Sequence, residues 1–143
     1  MMKEQNFNNH TQYVPTWHFI VAPAILCLLI GAFINLSASE PENLYSASLI
    51  CLSAVILGFI YWYVRAFALK AQDRAIRAEE QFRHFILTGK PLPGSLRLRQ
   101  IIALRFASDE ELPTLAERAA KEMLSSKDIK AAIQHWRPDY NRL

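Results

Sequence analysis

From Gln5 to Ser39 the sequence has no Lys, Arg, Asp or Glu, and from Asn43 to Val64 it has none again. Two uncharged stretches of that length exclude an ordinary soluble surface for most of the first half. Glycine is scarce: Gly31, Gly58, Gly89 and Gly94 are too dispersed to form a phosphate-binding loop. The two cysteines, Cys27 and Cys51, lie inside apolar runs, where a thiol packs as a small hydrophobe. Neither has a Cys or His neighbour at ligand spacing, and His10, His18, His84 and His135 are scattered, so no metal, cofactor or disulfide framework is expected. No proline occurs between Pro41 and Pro91, which leaves the whole interval free of its strongest helix breaker.

What is present is two apolar segments. Phe19 to Leu36 and Leu44 to Val64 each approach the roughly 20 residues a helix needs to cross a bilayer core, and both are predicted to be transmembrane helices. Pro23 falls near the start of the first, where it predicts a kink or a first-turn position. Ser37 and Ser39 ahead of Glu40 resemble a cleavage site, but a signal peptide needs a basic n-region, and Lys3 is cancelled by Glu4; the first span is expected to be retained.

Charge is divided along the chain. Residues 1–64 carry Lys3 against Glu4, Glu40 and Glu42, whereas residues 65–143 carry fifteen Lys and Arg against ten Asp and Glu. Arg65, Lys70, Arg74, Arg77 and Arg83 follow the second span, and the positive-inside rule places that end in the cytoplasm of a bacterial inner membrane. A two-span hairpin puts the N-terminus there too, with Tyr13, Trp17 and Phe19 level with Tyr61, Trp62 and Tyr63 as an interfacial belt. The expected fold is all-α. A polar tail (1–16) precedes a transmembrane hairpin (17–64), whose second span continues as a cytoplasmic stalk helix (65–89). A small unit of about three short helices follows (90–143).

Along the stalk, Phe67, Ala71, Ala75, Ala78, Phe82 and Phe85 recur at spacings of three and four, an apolar stripe that must be covered. Packing against the rest of the chain is the simplest cover; a partner-helix or coiled-coil seam and a helix lying on lipid are the alternatives. Gly89 suits the helix C-cap. In the remainder, Ser108 with Glu111 reads as a capping box before Pro113, and Ser125 or Ser126 caps a helix running toward Trp136 and ended by Pro138. So small a unit is expected to lean on the stalk or on a partner for its core.

Several blocks, "QNFNNH", "QDRAIRAEEQFRHFILTG", "IALRFASDEELPTLAERA" and "IKAAIQHWRPDYNRL", resemble an uncharacterised bacterial family of two-span membrane proteins frequent in Bacteroidota. The resemblance covers nearly the whole chain and implies location and architecture; it supplies no catalytic residue.

Nor do the residues themselves suggest a reaction. Asp109, Glu110 and Glu111 at a helix start complement the helix dipole, and neither span carries an ionisable group of the kind that lines a transport path. A non-enzymatic accessory subunit or adaptor of an inner-membrane complex is therefore expected. Its partners would be membrane lipid and integral membrane proteins, with a homo-oligomer as a further option. Candidate contacts are the tail, the C-terminal residues Trp136, Arg137, Asp139 and Tyr140, and the stripe residues Phe67, Ala71, Ala78 and Phe82. Trp136 and Tyr140 would equally serve as a cap on the small core. A basic patch of Lys90, Arg97 and Arg99 carries the rival expectation of ribosome or nucleic-acid docking.

Overall fold

A computed structural model describes residue 6 and residues 13–139 of the chain. Most of the polar tail and Tyr140 lie outside the described residues. Among those described the protein is all-helical. A π-helical turn, Thr16–Val21, leads into α1 (Ala22–Ser37), followed by α2 (Leu44–Thr88), α3 (Leu98–Leu104), α4 (Leu112–Lys121) and α5 (Ser126–Ala132). The chain divides into two compact units, one of residues 13–69 and one of residues 70–143 together with 1–12, so that one boundary falls within α2.

In the unit of Tyr13–Leu69, the π-turn and α1 form 22 continuous helical residues, and α2 has 45; both are long and apolar enough to cross a membrane. Pro23 explains the π-turn. Its ring has no N–H to give to the carbonyl four residues back and crowds it, so the preceding turn widens, and the Ala22 N–H reaches five residues back to the Trp17 carbonyl. Small side chains let α1 and α2 approach: Ala32 of α1 packs against Cys51 and Ala54 of α2, and a Cβ at Gly58 would lie 3.8 Å from Leu29. Nearer residue 13, Trp17 stacks on Tyr61 at 4.3 Å, and the Tyr61 hydroxyl donates to the Trp17 carbonyl at 3.3 Å. These pairings descend α1 as they ascend α2, so the two run antiparallel. Both cysteines are free thiols.

A soluble core helix hides its apolar surface, but only 6% and 17% of the most apolar windows of these two helices are buried. Leu26, Ile30, Phe33, Ile34, Leu52 and Ile56 are all exposed, as residues facing hydrocarbon would be.

In the unit from Lys70 onward, α3, α4 and α5 enclose a core of their own. Phe106, Leu104, Leu112 and Ile129 are the largest fully buried side chains, with Leu96, Ile101, Leu115, Ala116, Ala119 and Ile133 around them. No stalk side chain belongs to this cluster, so the short helices rely less on α2 for apolar cover than their length suggests.

Helix ends differ from expectation in two places. Glu111 donates its N–H to the Ser108 hydroxyl, as a capping box requires, but its carboxylate turns away to accept the N–H groups of Gln134 and His135 at 3.3 and 3.2 Å. That capture draws those two N–H groups out of helical bonding. It accounts for α5 ending at Ala132, with Ile133 extended, and not running on to Trp136. At the other end of α5, Ser125, one of the two serines expected as the cap, forms a capping box with Asp128. Gly89, at φ 69°, closes α2 with its N–H on the Phe85 carbonyl.

Candidate functional site

The stalk stretch of α2, Lys70–Thr88, has two faces, and the chain covers the polar one. Ile76, Glu80 and His84, spaced one turn apart, are buried. Arg83 beside them joins three groups through its fixed fork of donors. Nη1 lies 3.0 Å from Glu80, Nε 2.6 Å from Asp109, and Nη2 donates to the Ala107 carbonyl at 2.7 Å. Two blocks far apart in sequence, "EEQFRHF" and "FASDEEL", are thereby held together by one guanidinium. His84 adds a second tie, its Nδ1 2.9 Å from the Lys90 carbonyl, while Nε2 is buried without a hydrogen-bond partner among the described residues. Burial holds the Glu80 carboxyl above its ordinary range, and the neighbouring Arg83 only partly offsets this. Glu110, on the surface beside this site, is shifted the other way by hydrogen bonds from its own backbone and from Ser108.

The opposite face is bare. Phe82, Phe85 and Ile86 are 66%, 53% and 65% exposed, and Ala71, Ala75 and Ala78 continue the exposed row one to three turns back. Among the described residues, none packs over the Phe82, Phe85 and Ile86 end of the stripe. The C-terminal helices dock on the other side of α2, because Arg83 and His84 satisfy backbone carbonyls there that a row of alanine and phenylalanine cannot. Phe67, also exposed, stacks on Tyr63 at 5.5 Å in the other unit's stretch of α2.

Three of the C-terminal candidates, Trp136, Arg137 and Asp139, make contacts within the chain. Trp136 lies 4.9 Å from Phe106 and is half-buried, pairing through its backbone with Ala107. The Arg137 N–H donates to the Phe106 carbonyl, with its side chain exposed. Asp139 pairs with the buried Arg105 at 3.2 Å. Of the basic candidates, Arg97 and Arg99 line a shallow groove with Gln100 and Lys121, and Lys90 is not among its walls. No three His, Cys, Asp or Glu side chains gather at metal distance among the described residues.

Comparison with known families gives one match. The model described as a family of unknown function, DUF6526, matches residues 2–143. The chain belongs to the DUF6526 family. Neither curated proteins nor solved structures gave a match. In this DUF6526 chain the most conspicuous feature among the described residues is the bare α2 face. Sequence spacing located that face. The Arg83 hub it missed, since a contact 26 residues away leaves no local periodic signal.

Proposed function

We propose that this protein is a non-catalytic, membrane-anchored adaptor or accessory subunit. Its hairpin would lie in the bacterial inner membrane with both termini cytoplasmic, and its cytoplasmic stalk would bind a membrane-anchored protein partner through the Ala71–Phe85 face. One observation carries the reading: α2 exposes three large apolar side chains within two turns, Phe82, Phe85 and Ile86, while its polar face is the one the chain covers. Contiguous apolar patches on an otherwise charged surface mark interaction sites. The bases Arg65, Lys70, Arg74 and Arg77 after the second span support the orientation.

The test is a mild-detergent pull-down of the tagged chain from native membranes, at low and high salt, for the parent and for Phe82→Ser with Phe85→Ser. A stoichiometric, salt-resistant membrane component retained by the parent and lost by the variant is expected. Ribosomes or nucleic acid that wash off with salt, equally for both chains, would instead favour the groove of Arg97 and Arg99 and overturn the proposal.

A further inference from the structure

The exposed face has an internal register. Ala71, Ala75, Ala78, Phe82 and Phe85 follow one another at alternating steps of four and three, the d, a, d, a, d positions of a heptad. In the sequence, the same steps reach back to Ala68 and Val64, so the pattern holds over three heptads, the length at which it signals a coiled coil. The flanking g and e positions are informative. Arg74 and Glu79 stand five residues apart on opposite shoulders of the seam, both exposed, and neither forms an ion pair among the described residues. In a parallel pair of helices a g side chain reaches the e position five residues on in its neighbour. Two copies in parallel register bring each Arg74 beside the other copy's Glu79, twice by symmetry. In an antiparallel pair g faces g and e faces e, so this complementarity is lost.

We propose that the occupant of the α2 face is a second copy of this chain, packed in parallel along Ala71–Phe85. This rests on the reading of that face as a protein-binding surface in a membrane-anchored chain, and it names the partner. Chains inserted with one orientation in one bilayer already present α2 in parallel, and confinement to the membrane raises their effective concentration, so a seam of a few heptads suffices. The alanines let the helix backbones come close, and Phe82 and Phe85 form the aromatic layers at the end nearer Gly89. An adaptor built this way offers two C-terminal units to whatever it serves.

The full chain, in its native membranes, tests this with single cysteines at Ala71, Ala75, Ala78 and, as the off-seam control, Arg77, treated with a short bis-maleimide and compared with the parent carrying only Cys27 and Cys51. A covalent dimer at all three alanine positions, absent at Arg77 and in the parent, is expected. Arg74→Glu should reduce the crosslink, and Arg74→Glu with Glu79→Arg should restore it. Dimer at Ala78 alone indicates an antiparallel seam and overturns the proposal. An adduct at the alanines to a protein of different mass overturns the second copy while upholding the binding face. No adduct of either kind overturns both.

Discussion

Phe106 and Phe82 are the same residue in opposite surroundings, and truncating each to alanine separates the core of the C-terminal unit from its bare face. Phe106 is fully buried, touches Trp136, and lies beneath the Arg105 guanidinium at 4.5 Å. A buried Phe→Ala change costs about 3–5 kcal/mol. A unit of this size has a total stability of roughly 4–11 kcal/mol at about 0.05–0.15 kcal/mol per residue. Phe106→Ala should therefore remove a large part of the unit's stability and lower its melting temperature by at least about 12 °C, taking about 4–8 °C per kcal/mol. In detergent dilute enough to keep copies apart, Phe82, two-thirds exposed, should change stability by no more than about 0.5 kcal/mol on truncation. The assay is thermal unfolding in detergent followed by near-ultraviolet circular dichroism, with limited proteolysis of the segment after Gly89 as a second probe. Equal destabilisation by the two variants would refute the assignment, because it would mean that the Phe82 face is part of the packed interior.

Arg83→Ala leaves the Glu80 carboxylate buried without its partner, and breaking such a pair costs about 3–5 kcal/mol; adding Glu80→Gln should recover part of the loss, and a double variant no more stable than Arg83→Ala would contradict the hub. The raised Glu80 carboxyl fixes a pH sign. The folded chain holds that proton more tightly than the unfolded chain, so stability falls as pH rises from the ordinary value of 4.5 through the raised one. Measured as parent minus Glu80→Gln by denaturant unfolding, the difference should shrink with rising pH across that window, and growth would show that the pairing with Arg83 outweighs burial.

What the sequence made legible follows from the range over which each signal acts. The apolar segments, the Gly89 cap and the serine cap at Ser125 are local, with spacing or composition that reports them directly. The stalk stripe was equally legible as a pattern, but a pattern does not say which face the chain will use. That was decided by Arg83, whose partners Ala107 and Asp109 lie 24 and 26 residues on. The Glu111 carboxylate shows the same limit. Three-residue spacing from Ser108 predicted a reciprocal box, and two N–H groups 23 and 24 residues away took the carboxylate instead.

These long-range polar contacts bear on what the bare face is for. Had the short helices packed on the alanine and phenylalanine row, α2 would have buried its apolar side and left Glu80, Arg83 and His84 to water, the cheaper arrangement for a protein acting alone. The chain does the reverse. It buries a carboxyl whose ionised form is disfavoured there, and leaves Phe82, Phe85 and Ile86 open. On the covered face the Arg83 and His84 contacts offset the cost of burying that carboxyl; on the other, removing the aromatic row from water would add further stability. If the α2 face is occupied as proposed, stability is linked to that occupancy, because a ligand that binds only the folded chain raises its apparent stability as its own concentration rises. If that ligand is a second copy, the unfolding midpoint of the C-terminal unit will climb with the density of the protein in the membrane, and the Phe82→Ser, Phe85→Ser chain will show no such dependence.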